Sequence, residues 1–349
     1  MFEVKQYTQE QTQTWNEFIE DSRQGTFLFN RSYMDYHADR FQDASLMIYR
    51  KGQLYALLPA NRLGDTLYSH QGLTYGGLIT KKQSTTAEIC EVFIRINKHL
   101  YNSEIQRVIY KPTPWIYHCY PAEEDLYALI NVCHAQLVAR DISSTIPFAL
   151  RMNFTESRRS GIRKATRAGV TVRESQDLTS FWDILDKNLT NKYATHPVHS
   201  LEELTLLHSR FPNSIRLFMA YNDKGIAIGG TIIYEMPRVV HSQYISASPE
   251  GKRLGAIDLL FDHILNNVYA NHKGFFDFGK STEEEGKILN TTLIFQKEGF
   301  GGRGVCYDCY EWETDTIIEE YKDLDHTQPT SLKNKHDKLS LTSKNNSIT

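Results

Sequence analysis

Positive charge is concentrated in one part of the sequence: residues 151–173 hold seven basic side chains against one acidic, with Arg158, Arg159, Arg163, Lys164 and Arg167 close together. Planar guanidinium groups in such a cluster suit bidentate contacts to phosphate or carboxylate, and the competing reading is a solvated helix face. Nucleotide diphosphates, coenzyme A phosphates and a tRNA acceptor end satisfy the cluster equally. A second candidate is Asp277, a carboxylate ending the run that starts Phe275-Phe276, ahead of Gly279, Lys280 and Ser281. A strand-end carboxylate beside a cleft orients or deprotonates an amine nucleophile, whereas its bland counterpart caps the following turn. Cys306 and Cys309 form a CxxC within the alternating run Val305 to Trp312. Residues three apart on a strand face opposite sides, so metal or redox chemistry is not expected there. His196, His199 and His208 lack the spacing and neighbouring carboxylates of a metal site and read as surface or helix residues. No metal is expected.

The elements that position these groups need a long chain. With 349 residues, 40% hydrophobic and 12% aromatic, the sequence has material for two cores of ordinary domain size. Its formal charge of -3 gives no global field that attracts nucleic acid, so any such contact is local. Residues 1–14 show no signal-like apolar stretch and no window approaches an uncharged membrane span. Five cysteines, an odd number, fit a reducing compartment, and a cytoplasmic location is expected.

The order of elements repeats. An opening strand, Phe2 to Tyr7, precedes helical spacing of Trp15, Phe18 and Ile19; Val170 to Ser175 precedes Phe181, Trp182, Leu185 and Leu189. A second helix follows in each half (32–41 and 200–211), then hairpins over 46–58 and 217–228 that turn at Lys51-Gly52 and Asp223-Lys224-Gly225. A third strand (66–70 and 239–246), a long helix (87–100 and 255–269), a strand (107–110 and 274–278), a helix (125–134 and 287–298) and a last strand (136–142 and 304–312) complete each copy. The reading is a mixed α/β chain with a boundary near 147–155: residues 1–150, residues 151–315, and a polar tail over 316–349 expected to hold one helical turn and then disorder.

Two segments carry a family resemblance. Arg158-Arg-Ser-Gly-Ile-Arg-Lys-Ala-Thr-Arg-Ala-Gly-Val170 resembles the FemAB-family run with its Ile-Arg-Lys-Ala core. Tyr244, Gly255-Ala256, Phe276-Asp-Phe-Gly279 and Phe295-Gln-Lys-Glu-Gly-Phe-Gly-Gly302 resemble that family's strand tyrosine, helix start, strand end and closing turn. The resemblance is good over about 153–312 and weaker before it, where Pro59 and Tyr75-Gly-Gly-Leu78 are the best anchors. It implies two tandem copies of the GNAT fold, the acyl-CoA N-acyltransferase fold, with an acceptor-side first copy and a donor-side second copy.

The implied activity is direct transfer of an acyl group to an amine of a small or cell-envelope precursor, such as a sugar nucleotide or muropeptide. Acyl-coenzyme A is the implied co-substrate. The alternatives are aminoacyl-tRNA as donor to a peptidoglycan precursor, and a non-catalytic precursor-binding protein. By resemblance, Lys297 stabilises the developing oxyanion, with Asp277 and Tyr244 as further catalytic candidates. Ser246, Ala247, Gly251, Lys252, Arg253, Gly255 and Ala256 take the donor. His70, Tyr75, Arg158, Arg163, Lys164, Lys280, Ser281 and Asn290 bind substrate. The chain departs from the pattern at Glu250-Gly-Lys-Arg-Leu-Gly255, where only two glycines remain, and at Phe295, where a general-acid tyrosine is usual. The oligomeric state is not legible.

Overall fold

The computed structural model describes residues 1–193 and 197–321, so His196 and residues 322–349 lie outside the described residues. The first copy runs β1 (Phe2–Gln6), α1 (Thr12–Glu20), α2 (Arg31–Met34), β2 (Leu46–Arg50), β3 (Gln53–Leu58), β4 (Thr66–Tyr68), α3 (Thr86–Asn102), β5 (Arg107–Tyr110), α4 (Glu124–Asn131) and β6 (Gln136–Pro147). The second runs α5 (Glu156–Arg167), β7 (Thr171–Ser175), α6 (Leu178–Tyr193), α7 (Leu201–Arg210), β8 (Ile215–Tyr221), β9 (Ala227–Glu235), β10 (Val239–Ala247), α8 (Pro249–Leu254), α9 (Ala256–His263), β11 (Phe275–Lys280), α10 (Thr291–Gly299) and β12 (Arg303–Glu313). A last helix, α11, spans Thr314–Tyr321.

These strands form a four-stranded sheet, β1-β2-β3 with 79–80, and an eleven-stranded sheet. The large sheet is ordered β7-β8-β9-β10-β11-β6-β12-β5-β4, followed by short strands at 61–63 and 42–43. Proline has no N–H for a ladder, and Pro59 sits where β3 ends in one sheet and 61–63 begins in the other. The corresponding strand of the second copy, β9, has no proline and runs unbroken over nine residues.

In each copy a strand pair lies parallel, β4 with β5 and β10 with β11. Their outer neighbours are exchanged: the second copy's last strand, β12, pairs with β5, while the first copy's last strand, β6, pairs with β11. The exchanged strands pair with each other antiparallel, from Arg303 opposite Thr145 to Glu311 opposite Gln136. The sequence reading gave each copy its own closing strand. Period-two patterning identifies a strand and its faces but not the strand beside it, so the exchange left no trace in the residues.

Several expected helices are shorter than their periodicity suggested: 287–298 begins only at Thr291, after a short strand at Ile288–Leu289, and 125–134 ends at Asn131. The stretch 32–41 is α2 and a 3-10 turn, Asp35–His37, and 255–269 is α9 and a π turn, Ile264–Val268, with α8 before them. Gly255 divides α8 from α9 at φ +80, a left-handed conformation. One core joins the copies: Trp15, Phe29, Tyr75 and Tyr117 from the first pack in the same cluster as Phe181, Leu204, Tyr234 and Tyr307 from the second.

Candidate active site

The parallel strands β10 and β11 pair only from Val239 opposite Phe275 to His241 opposite Asp277. Beyond that point they fork. β11 leaves through Gly279, at φ +74, and its pairing with β6 is irregular between Asp277 and Lys280. On the other side of β10, Ile232 pairs with Tyr244 and Ile233 with Ser242, so Gln243 is one residue too many for the ladder. A bulge of this kind bends its strand and leaves the extra residue unpaired, and here it lies at the mouth of the fork.

Asp277 is fully buried at the base of the fork. Its Oδ2 accepts from the Tyr307 hydroxyl at 2.6 Å, the Tyr117 hydroxyl at 2.8 Å and His241 Nδ1 at 2.9 Å. Its Oδ1 accepts from the Ser143 hydroxyl and from the Gly279 amide at 3.1 Å. Burial works to raise this carboxyl's pKa, but the donors, His241 foremost, hold it well below the usual range. The same burial, with the charge of Asp277, pushes the Tyr117 and Tyr307 hydroxyls far above theirs. The shell draws on both copies and on both exchanged strands, with Ser143 on β6 and Tyr307 on β12. Asp277 was read either as meeting an amine or as capping the following turn; the carboxylate has no exposed surface, and its Oδ1 does take the Gly279 amide two residues on.

Lys297, on α10, is also buried. Its ammonium donates to the carbonyls of Gly279 and Lys280, both at 2.7 Å, and so ties α10 to the departing end of β11. Burial pushes its pKa down to about 8, against the pull of Asp277. Lys280 pairs with Asp141 across the exchanged strand. Ser281 is fully buried, its amide bonded to Ile142 O at 2.8 Å. Asn290 caps α10, accepting from the Leu293 amide at 3.0 Å. Phe295 is 68% exposed on the same helix.

The residues expected to hold the donor lie along the end of β10 and its helices. Ser246 donates to Ile184 O at 3.3 Å, and Ala247 packs against Gly229 and Gly251. The two surviving glycines of this stretch serve packing: a side chain on Gly251 would meet Ile228 O, and one on Gly255 would meet Gly161 O on α5. The Gly251 amide is taken by the Ser248 hydroxyl at 3.1 Å, and Pro249 has no N–H, so the first turn of α8 offers little to a pyrophosphate. Lys252 bonds Asn188. Arg253 and Ala256 flank the Gly255 break.

The basic segment is α5, laid across α9. Arg158 pairs with Asp258 at 2.6 Å, half-enclosed against Phe300, and anchors the helix rather than binding from its surface. Arg159 and Arg163 both pair with Glu156. Arg163, Lys164 and Arg167 line an open groove of about 560 Å³ with Ser160, Ala168 and Leu254.

On the first copy, His70 holds φ +84, stacks on His37 with ring centroids 5.4 Å apart and lines a 310 Å³ cavity with His37, Arg31, Asp35 and Asp43. Burial lowers its pKa to about 3, so it is neutral. Tyr75 was expected at a cleft, but it is buried in the shared core, its ring 4.5 Å from Tyr117 and its hydroxyl 3.1 Å from Met236 Sδ. Its large aromatic ring finds more apolar area there than a cleft offers. Tyr244 joins the copies: its hydroxyl meets His199 Nδ1 at 2.6 Å, and His199 stacks on Tyr36 of the first copy. Burial raises the Tyr244 hydroxyl to about 12. His199, read from sequence as a surface or helix residue, is buried, whereas His208 is half-buried on α7.

Sequence reasoning missed His241, Tyr117, Tyr307 and Ser143. His241 had a signal, as a lone imidazole among apolar residues on the strand that carries Tyr244. The others had none: the strand exchange brings Ser143 and Tyr307 to Asp277, and Tyr117 reaches it from the 3-10 turn Trp115–Tyr117. The cysteines are all free, with Cys306 exposed and Cys309 partly buried on β12, and no cluster of metal-ligand type occurs among the described residues. No helix among them is long and apolar enough to cross a membrane.

No curated protein sequence matches the chain. Residues 153–285 match the acetyltransferase (GNAT) domain family. Among solved structures, FemX is similar with a TM-score of 0.65 at 10% identity, covering 91% of this chain and 99% of its own. A conserved protein of unknown function from Bacteroides thetaiotaomicron follows at TM-score 0.59 and 10% identity, covering 90% and 99%. L-PGS from Bacillus licheniformis gives 0.54 at 12% identity, covering 90% and 96%. Residues 153–285 therefore match a GNAT acetyltransferase domain, within a chain that has the fold of FemX.

Proposed function

We propose that the chain moves an acyl group directly, without a covalent enzyme intermediate, from an acyl-coenzyme A donor to an amine on a small or cell-envelope precursor such as a sugar nucleotide or muropeptide. In this reading residues 1–150 hold the acceptor, residues 151–315 hold the donor, and the work is done in the cytoplasm. The observation that carries it is the fork between β10 and β11 with the bulge at Gln243 beside it. Separated parallel strands leave a slot for an extended thioester chain, and an amide freed from the ladder is a donor for the carbonyl oxygen as it gains charge. Lys297 adds positive charge behind the same strand end, and Tyr244 stands on β10 beyond the bulge, its hydroxyl on His199. Alignment of two reactants across the shared core and charge stabilisation at one oxygen are the main sources of rate.

Aminoacyl-tRNA is the second reading, favoured by one observation. The glycines that cradle a pyrophosphate in the GNAT pattern are spent here on packing, while the open groove on α5 presents Arg163, Lys164 and Arg167. A long polyanion fits that surface without the loop. The deciding experiment offers the protein acetyl-coenzyme A, a longer acyl-coenzyme A and charged tRNA in turn, with UDP-linked amino sugars and a muropeptide as acceptors, and follows product by mass spectrometry. Transfer from a thioester supports the first reading. Transfer from charged tRNA alone replaces it with the second.

A further inference from the structure

His241 is an ionisable group at the fork whose ring keeps one nitrogen without a partner among the described residues. It lies opposite Asp277 in the β10–β11 register, on the same face of β10 as Val239, with its side chain 8% exposed. Nδ1 is 2.9 Å from Asp277 Oδ2 and 3.3 Å from the Tyr117 hydroxyl. An ionised carboxylate only accepts hydrogen bonds, so Nδ1 carries the proton and Nε2 presents a lone pair. Nε2 has no partner among the described residues and is not sealed from solvent. Its direction is given by Gly279: a side chain there would stand 3.3 Å from Cε1 and 3.9 Å from Nε2. The free edge of the ring therefore faces the residue at which β11 leaves β10.

Resting on the acyl-transfer reading of the same site, we infer that His241 is the general base of the reaction and that Asp277 is its positioning residue. The acceptor nitrogen attacks the donor carbonyl, a C–N bond forms, and the nitrogen gives one proton to Nε2. The C–S bond of the thioester then breaks, and the leaving thiolate takes that proton back from the imidazolium, so amide and free thiol are the only products. An acyl ester donor balances in the same way with an alcohol leaving. Asp277 fixes the tautomer and stabilises the imidazolium without being protonated, and Tyr117, Tyr307 and Ser143 hold the carboxylate in place. The arrangement also explains why a strand-end carboxylate with no exposed surface carries so many donors.

Two measurements test this. The first needs no substrate: nitrogen-15 NMR of the histidine rings should show His241 as the Nδ1–H tautomer in the wild type, and Asp277→Asn should shift it toward Nε2–H. An Nε2–H ring in the wild type overturns the assignment. The second uses acetyl-coenzyme A and UDP-linked amino sugars as probes. His241→Gln, which keeps an amide donor for Asp277, should lower kcat by about 10² or more with the KM for acetyl-coenzyme A unchanged, and the acid limb of the kcat/KM profile should disappear. Asp277→Asn should lower kcat while the limb remains, displaced. The titratable groups around the ring are Asp277 on β11, Tyr117, Tyr307 on β12 and Tyr244 on β10, with the charge of Lys297 acting on Asp277. Full turnover in His241→Gln removes the base. If the wild type turns over no thioester, the donor reading falls, and the tautomer measurement alone decides the dyad.

Discussion

Each copy has a fork, and the two differ in what stands at its base. In the second copy the third parallel pair is His241 with Asp277; in the first it is Tyr68 with Ile109. The first fork is also closed by its own chain. Ser69 bonds Ile109 O at 2.9 Å, Gly76 bonds Lys111 O at 2.8 Å, and the Lys111 amide bonds the Ser69 hydroxyl, so residues 69–78 stitch across the opening. One fold repeated thus gives one fork with a dyad and a free edge, and one filled with hydrogen-bonded loop. On the proposed reading, the same backbone catalyses in one copy and supports in the other, and a few residues at the strand ends decide which.

The buried carboxylates of the two copies make this comparison testable. Asp277 is held below the usual range by five donors, whereas Asp125 of the first copy, bonded to the Tyr110 hydroxyl at 2.7 Å, is pushed up by burial to about 6. Asp277→Ala strands its donors in the core and should cost about 3–5 kcal/mol, while Asp125→Asn should cost about 1 kcal/mol or less. Denaturant midpoints at constant slope measure both, and equal losses would erase the distinction. The pH dependence has opposite signs. The contribution of Asp277 is present above its unfolded pKa and fades as acid protonates it. Asp125 binds its proton more tightly when folded, so its own contribution declines as pH rises from 3.8 to about 6. Titration of the wild type against each variant separates the two.

Next in size is Lys297→Met, expected to lower kcat by about 10² with little change in KM, since methionine keeps the stem and the helix propensity. Gly279 O and Lys280 O lose their donor, so some stability is lost as well. Loss of affinity alone would recast the lysine as a ligand contact, and an unchanged rate would leave it a structural tie between α10 and β11. The smallest effect is expected on α5, where replacing Arg163 and Lys164 together with alanine should weaken donor binding about tenfold and leave the melting temperature nearly unchanged, because both charges are exposed and Arg163 pairs only with the exposed Glu156 among the described residues. Unaltered affinity for every donor would return the groove to a solvated face.

The repeated order of elements was legible because each element carries its own periodicity, and the strands expected at 107–110 and 239–246 are found at Arg107–Tyr110 and Val239–Ala247. Lys297 and Asp277 were singled out through family likeness, and both are buried, Asp277 completely. Tyr75 misled for a simple reason: beside glycines it looks like a loop residue, yet its ring fills the core. What escaped depends on which strand lies next to which. Ser143 and Tyr307 sit on exchanged strands about 130 and 30 residues away from Asp277, and nothing local to either signals the meeting. The filled α8 turn escaped for a related reason, since the glycines looked like a phosphate loop until Ile228 and Gly161 were seen against them.

The claim that only the second fork takes the donor is most directly tested by a crystal structure of the protein with a non-hydrolysable acetyl-coenzyme A analogue. The account predicts the acyl end between β10 and β11, its carbonyl oxygen beside the Gln243 amide and its acyl carbon within reach of an amine held at His241 Nε2, with the first fork still closed by residues 69–78. An acyl group lodged between β4 and β5, or bound away from both forks, would contradict it.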